Sequence, residues 1–135
     1  MDPISNMLVS IKNASAKRKE RVDIPYSGIK AGVVKLLKEE GFITNYKIVD
    51  SKTDKNVDSR GVISITLKYT QDKQPVIVGM RRVSRPGLRV YRPYTEIPRV
   101  RAAFGVTILS TSKGLLTDEM AKEQKVGGEV ICQVW

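Results

Sequence analysis

The first part of the chain contains two amphipathic helical patterns. Apolar residues recur at intervals of three and four over residues 2–16, which predicts a helix with one buried face. Asp2 is the predicted N-cap and Pro3 the first helical residue, where the missing amide of proline costs nothing. Ser27 is placed to cap a second helix, which we expect to end at Gly41.

Three strand-like patterns accompany these helices. Residues 21–24 predict a short strand stopped by Pro25, and residues 42–49 and 62–69 predict two longer strands. The polar residues 51–60 between them predict a hairpin loop. Strict alternation in the last of these strands predicts that four side chains are buried on one face: Ile63, Ile65, Leu67 and Tyr69.

The second part of the chain begins after a polar, non-periodic stretch at residues 70–75. Residues 76–83 and 88–91 are strand-like, and the intervening Pro86 and Gly87 favour a turn, so we interpret this segment as a hairpin with Leu88 and Val90 facing inward. The polar stretch predicts two domains, at residues 1–72 and 73–135.

The remaining pattern predicts short helices and strands in alternation. Thr95 is expected to cap a short helix that buries Ile97, Val100 and Phe104 and ends at Gly105. A strand at residues 106–111, a helix at 117–124 and a strand at 129–135 follow. The predicted fold class is therefore α/β of the α+β type, with an N-terminal α-β-α-β-β domain and a C-terminal domain of mostly antiparallel sheet with short helices.

Composition limits the possible functions. The chain has 24 Lys and Arg against 14 Asp and Glu, a net charge of +10, and no histidine, which removes the commonest general base and imidazole metal ligand. The charge favours an anionic polymer as partner, although solubility alone is an alternative explanation. No run of 18 apolar residues is present, so we expect a soluble protein that is cytosolic or organelle-encoded. The lone Cys132 is expected to be a buried small hydrophobe.

The positive charge is shared by both halves but differs in kind. Division at residue 75 gives +5 on each side, from 14 basic and 9 acidic residues before it and 10 and 5 after it. Guanidinium groups favour bidentate phosphate contacts, although any single one is equally explained as part of a solvated strand face. Only Glu96 opposes a run of seven arginines: Arg81, Arg82, Arg85, Arg89, Arg92, Arg99 and Arg101.

The segment from Ser110 to Gly114 is the strongest candidate site. Its hydroxyls at Ser110, Thr111 and Ser112 both donate and accept hydrogen bonds, which suits the 2′-hydroxyls and phosphates of RNA, and Lys113 would attract phosphate. An ordinary strand end is the alternative. The same letters match the Ser-x-x-Lys signature of penicillin-binding enzymes, but the segment follows a strand and the companion motifs are absent, so a hydrolase is a distant hypothesis.

A second candidate loop lies at residues 127–129. Gly127 and Gly128 are explained as a helix C-cap and turn and, compatibly with this, as bare backbone that approaches a ligand closely. Glu129 either pairs with Lys113 or an arginine, or accepts hydrogen bonds from base amines. Tyr91 is placed to stack on a base, or to pack as an ordinary surface tyrosine.

Four blocks of sequence are typical of one known family: Asp2-Pro3-Ile4 with Met7-Leu8, Ile11 and Asn13; residues 37–43; residues 82–91; and residues 110–114 with 127–130. On these residues the chain resembles the bacterial form of ribosomal protein eight of the small subunit. The resemblance implies two tightly associated domains, no enzymatic activity and no cofactor or metal. It also implies a role in early subunit assembly through an internal-loop stem in the central domain of 16S rRNA.

The resemblance further implies particular contacts and partners. Neighbouring small-subunit proteins are expected partners, and the protein is expected in the ribosome, in the cytoplasm. When free of the ribosome it is expected to be a monomer. A freestanding repressor that binds its own operon messenger RNA is the alternative function. The candidate rRNA-binding residues are Ser110, Thr111, Ser112, Lys113, Gly127, Gly128, Glu129, Tyr91 and Arg89, with Lys30 in the N-terminal domain.

Overall fold

The first helix is capped as its sequence predicts. The computed structural model describes residues 2–49, 61–100 and 104–135, and α1 spans Pro3–Ala16. Oδ1 of Asp2 accepts hydrogen bonds from the amides of Ile4 and Ser5, each at 3.1 Å, which satisfies two of the amides that a helix start leaves unpaired. The Nε atom of Arg82 lies 3.4 Å from the same oxygen.

The N-terminal sheet has three antiparallel strands, in the order β1-β3-β2, and a helix that follows the first strand. Ser27 caps this helix, because its Oγ accepts a hydrogen bond from the amide of Lys30 at 3.3 Å, and Gly41 follows the helix with a φ of 82°. These features confirm the predicted caps. The elements are β1 (Arg21–Pro25), α2 (Gly28–Glu39), β2 (Ile43–Val49) and β3 (Val62–Leu67).

Three of the four side chains that the alternation predicts to be buried in β3 are buried, but Ser64 between them is buried as well. Ile63, Ile65 and Leu67 are buried, but β3 ends at Leu67 and Tyr69 is only half-buried. The tyrosine forms an isolated bridge with Pro75 instead of continuing the strand. The loop predicted at residues 51–60 lies outside the described residues.

The C-terminal sheet is antiparallel, with the order β4-β8-β6-β7 and with β5 also paired to β8. The predicted last strands and last helix are confirmed within one residue, whereas β7 was not predicted. Thr117 caps α3, since its Oγ1 accepts a hydrogen bond from the amide of Met120. The elements are β4 (Met80–Arg82), β5 (Tyr91–Arg92), β6 (Val106–Thr111), β7 (Gly114–Thr117), α3 (Asp118–Gln124) and β8 (Gly128–Val134).

The predicted hairpin over residues 76–91 is wrong. β4 and β5 pair with successive parts of the same neighbour, β8, and not with each other. Between them Arg85 and Leu88 exchange two backbone hydrogen bonds around the predicted Pro-Gly turn. Leu88 therefore lies at a turn with 69% of its surface exposed and does not face inward, whereas Val90 packs on the core.

The helix predicted after Thr95 is also wrong. Tyr94–Glu96 form a single turn of 3-10 helix, and residues 97–100 are not helical. Pro98 explains the early stop, because the residue before a proline is disfavoured in helical conformation. Ile97 is nevertheless buried, whereas Phe104 is 87% exposed; residues 101–103 lie outside the described part of the chain.

The chain divides into two compact units, one of Met1–Leu8 with Val78–Trp135 and the other of Val9–Ile77. In the first unit, Leu109, Val130 and Ala121 form a core cluster with Ile97. In the second, apolar side chains of α2 and β3 are fully buried. The α+β class is confirmed, and the domain limits at residues 72 and 73 stay a prediction.

Candidate nucleic-acid interface

The tip of the β6–β7 hairpin presents the hydroxyl-rich segment. Ser112 and Lys113 form an exposed turn between the paired residues Thr111 and Gly114. Gly114 has a φ of 99°, and such a left-handed glycine after a turn is typical of tight hairpins. Oγ1 of Thr111 accepts a hydrogen bond from the amide of Lys113 at 3.1 Å and donates one to the carbonyl of Gly114 at 2.8 Å. Thr111 thus fixes the turn, and the Ser112 and Lys113 side chains are left at its exposed tip.

The glycines at the start of β8, Gly127 and Gly128, are explained by close approach of backbone to backbone. A Cβ atom on Gly128 would lie 2.1 Å from the carbonyl oxygen of Ser110, and one on Gly127 would lie 2.4 Å from the carbonyl oxygen of Arg92. Neither glycine has a left-handed φ, and the C-cap of α3 is Lys125, with a φ of 55°. The C-cap interpretation of Gly127 is therefore wrong. Their small size lets β8 enter between β5 and β6.

Three candidate side chains form a row across the sheet. Glu129 of β8 is paired with Tyr91 of β5 on one side and with Ser110 of β6 on the other. Directly paired residues of antiparallel strands project from the same face, about 5 Å apart. Leu109 and Val130, the neighbours of Ser110 and Glu129, belong to the core cluster on the opposite face. The row thus lies on the face away from that cluster.

Glu129 forms an ion pair with Arg89. Oε1 of Glu129 lies 3.4 Å from Nη1 of Arg89, and the two side chains are 15% and 48% exposed. Of the two alternatives left open by the sequence, pairing with an arginine is the one found in the free protein. The carboxylate is thus present at the row with its charge partly balanced.

Ser84 fixes the segment that brings Arg89 to this position. It is fully buried, and its Oγ accepts a hydrogen bond from the amide of Val90 at 3.2 Å. The amide of Ser84 donates to the carbonyl of Val130, and the amide of Val130 donates to the carbonyl of Val90. Residues 84–90 consequently form a closed loop on the edge of β8, with Leu88 and Arg89 exposed.

We call the assembled region the strand-end surface, and define it as Arg89, Tyr91, Ser110–Lys113 and Gly127–Glu129. It unites nine of the ten predicted residues. Tyr91 is 63% exposed, which leaves its ring open to a partner. Leu88 adjoins this surface and was missed because its alternation with Val90 resembled an inward-facing strand; the Pro-Gly turn immediately before it was the available signal.

Lys30 is the predicted residue that the structure does not bring to this surface. It lies in α2, in the compact unit of residues 9–77. Its side chain is buried, and Nζ donates a hydrogen bond to the carbonyl of Pro25 at 3.1 Å. This contact gives Lys30 a role in joining α2 to β1, and its contact with rRNA stays a prediction.

The chemistry of the strand-end surface suits a polar polyanion. Hydroxyls, a turn lysine, an exposed aromatic ring and one carboxylate lie within a few strand spacings of each other. These are the groups that bind 2′-hydroxyls, phosphates, base faces and base amines. Among the described residues no group of three acidic or cysteine side chains is placed to hold a metal ion, and no helix is long and apolar enough to cross a membrane.

Comparison with known proteins agrees with this chemistry. Residues 2–135 match the family model described as ribosomal protein S8. The chain is 51% identical over 135 residues to the small ribosomal subunit protein uS8 of Geobacter sulfurreducens. The aligned region covers 99% of this chain and 97% of that protein. The protein of the same name from Chloroflexus aurantiacus is 48% identical over 134 residues, with the same two coverages. The chain belongs to the ribosomal protein S8 family, a family of structural ribosomal proteins and not a class of enzymes.

Proposed function

We propose that this protein is a structural constituent of the small ribosomal subunit and binds 16S rRNA directly. Its target is a stem with an internal loop in the central domain, and its binding assists early assembly of the subunit. Family membership and the names of the relatives, which are small ribosomal subunit proteins, support the general role. The finer proposal depends on the strand-end surface.

The convergence of Tyr91, Glu129 and Ser110 in one cross-strand row is the observation that supports RNA recognition most directly. A row of this kind offers a stacking ring, an acceptor for base amines and a hydroxyl for a ribose at fixed spacing. An internal loop exposes unstacked bases, which a regular duplex does not. The surface therefore favours an irregular stem over a continuous helix.

Affinity and specificity are expected to come from different residues. Lys113, at the exposed hairpin tip, makes no ion pair among the described residues and is available to a phosphate. Each such contact adds about one unit to the salt slope and carries no sequence information. Glu129 repels phosphate, so it helps binding only when a base amine is placed to donate to it.

The test is the affinity of the purified protein for the internal-loop stem and for a scrambled stem of equal length, measured from low to high salt. We expect a preference for the correct stem that persists at high salt and is lost in Ser112→Ala. Lys35→Ala, which removes an exposed lysine of α2, is the matched control and should leave the preference unchanged. Equal binding to both stems that disappears with salt would contradict the proposal.

Incorporation into the small subunit separates this function from the alternative, a freestanding repressor of its own messenger RNA. A messenger stem of similar shape would occupy the same surface, so stem affinity alone does not distinguish the two. We expect tagged protein to sediment with the small subunit and its neighbouring proteins. Expression of a reporter that carries the leader of this protein's own messenger RNA would fall when the protein is overexpressed only if repression also operates.

A further inference from the structure

A second concave surface lies in the other compact unit, where the end of α1 meets the end of β3. Its cavity has a volume of about 260 Å³ and is lined mainly by carbon. This is smaller than a typical pocket for a drug-sized ligand, about 300–1,000 Å³, and is suited to one flat ring system. The lining residues are Arg18, Glu20, Leu67, Tyr69 and Lys73.

Two polar contacts connect the walls of this pocket. Nε of Arg18 donates a hydrogen bond to the carbonyl of Lys73 at 3.1 Å, and the hydroxyl of Tyr69 donates one to the carbonyl of Lys19. The amide of Leu67 donates to the carbonyl of Glu20 at 2.9 Å. The segments 18–20 and 67–73 are thus joined at three points, which makes the pocket a feature of the folded unit.

Arg18 and Lys73 both have left-handed backbone, with φ values of 55° and 62°. This conformation is uncommon in residues other than glycine, asparagine and aspartate. The two cations belong to opposite segments of the same pocket, and the side chain of Arg18 contacts the backbone of Lys73. Arg18 and Tyr69 line the same cavity, where burial raises the pKa of Tyr69 and the charge of Arg18 offsets part of that effect.

The charge around the pocket favours an anion. No ion pair involving the cations of these segments is found among the described residues, whose three pairs all lie elsewhere. Two acids, Glu20 and Asp72, oppose them, and only Glu20 lines the cavity. The two segments contain four cations, Arg18, Lys19, Lys68 and Lys73, of which Arg18 and Lys73 line the cavity.

We propose that this pocket binds one unpaired nucleotide of RNA, with the base against Leu67 and Tyr69 and the adjoining phosphates at Arg18 and Lys73. Aromatic rings bind bases by stacking, and arginine suits phosphate. The carboxylate of Glu20 repels phosphate and accepts hydrogen bonds from exocyclic amines, so the pocket should prefer adenine or cytosine to uracil. This inference extends the proposed RNA binding to a second site, distinct from the strand-end surface.

A polypeptide is the competing occupant. An apolar side chain beside a carboxylate would also fit carbon walls and two cations. Four cations against two acids in these segments favour the continuous charge of a nucleic acid backbone over a single carboxylate. The experiment therefore includes a peptide arm.

The test uses the full chain with labelled adenylate and uridylate pentamers, followed by fluorescence anisotropy. The variants Arg18→Asn and Lys73→Asn remove each cation but keep a residue that tolerates left-handed backbone. We expect each to weaken adenylate binding at least fivefold, and adenylate to bind at least threefold more tightly than uridylate. Lys35→Asn is the matched control and should change neither affinity by more than twofold.

Ultraviolet cross-linking with mass mapping provides a second readout that does not depend on the variants. We expect the adenylate cross-link in the peptide that contains Tyr69. Any one of three results would overturn the proposal. The cross-link could be confined to residues 110–113, both variants could leave the pentamer affinities unchanged, or an oligoglutamate peptide could displace the labelled pentamers where unlabelled pentamers do not.

The proposals for the two RNA sites are tested by different variants, so one can be contradicted while the other stands. Ser112→Ala should abolish preference for the internal-loop stem and leave the pentamer cross-link at Tyr69 in place, whereas Lys73→Asn should do the reverse. The unmodified protein could bind the internal-loop stem and the scrambled stem equally and still form the cross-link at Tyr69. That result would contradict the function proposed for the strand-end surface and support the pocket.

Discussion

Replacement of Gly128 by alanine should separate β8 from β6 at the strand-end surface. The added Cβ would lie 2.1 Å from the carbonyl oxygen of Ser110, 2.9 Å from its carbonyl carbon and 3.2 Å from Cα of Thr111. All three neighbours are backbone atoms, so no side-chain rotation relieves the overlap. The strands must move apart by about 0.9 Å to reach the 3.0 Å limit of real Cβ contacts.

A displacement of that size weakens the backbone pairing at Ser110 and Glu129. Overpacking costs about 1–3 kcal/mol, and each weakened hydrogen bond costs about 1 kcal/mol, so we expect Gly128→Ala to lower the free energy of unfolding by about 2–3 kcal/mol. This corresponds to a fall in Tm of about 10 °C for a chain of this size. The row of Tyr91, Glu129 and Ser110 would also lose its spacing, so preference for the internal-loop stem should fall.

Urea unfolding and stem affinity measure the two effects. Gly87→Ala is the matched control, because a Cβ there meets no atom within 4 Å and its φ is not left-handed. It should change the free energy of unfolding by less than about 0.5 kcal/mol. A Gly128→Ala protein as stable as Gly87→Ala, with normal stem preference, would refute the explanation of the glycine by backbone approach.

Four further predictions concern charge. Lys113→Ala should lower the salt slope of stem binding by about one unit, while Glu129→Ala should chiefly reduce discrimination; equal losses on correct and scrambled stems would contradict the latter. A double-mutant cycle of Arg89→Ala and Glu129→Gln should give a coupling of about 0.2–1 kcal/mol in the free energy of unfolding, because the arginine is half exposed. A coupling of zero would show that the ion pair does not contribute to stability. Burial raises the pKa of Cys132 to about 12, against a weaker effect of Arg82, so a thiol reagent at pH 8 should label it only after unfolding. Burial raises the pKa of Asp2, but hydrogen bonds with Ser5 and Arg82 and the charge of Arg82 together lower it below its ordinary value of 3.8. This stabilisation should be complete above pH 3.8 and lost as the pH falls through the lowered pKa, so Asp2→Asn should show a weaker loss of stability in acid.

The local elements of the fold were predictable because their signals are local. Asp2 and Ser27 cap their helices, Gly41 has the left-handed φ expected after a helix, and Ile63 and Ile65 alternate into the core. In each case the partner lies within a few residues or on the buried face that the pattern indicates. The family was equally evident from the motifs, and the match over residues 2–135 confirms it.

The errors have both distant and local causes, and Pro98 is the local cause for the helix predicted after Thr95. Residues 76–91 have the pattern of a hairpin, but β8 supplies hydrogen-bond partners to both of its strands, so β4 and β5 never meet. β7 was missed because the four residues of Gly114–Thr117 are too few for a periodic signal, and only their pairing with β6 defines them. The pairing of β4 and β5 with β8, about 40 to 50 residues away, is not encoded in local periodicity.

The sequence by itself determined which residues belong to the candidate site, and the tertiary structure decided how they are arranged. Hydroxyls, glycines and Glu129 stand out in the sequence because together they offer the hydrogen-bonding groups and bare backbone that suit RNA. Their convergence requires β8 to lie between β5 and β6, and Gly127 and Gly128 permit this because they have no side chains to meet the neighbouring backbones. The partner of Glu129, Arg89, is 40 residues away in the chain, and only the packing of the Ser84 loop on β8 brings the two charges within 3.4 Å.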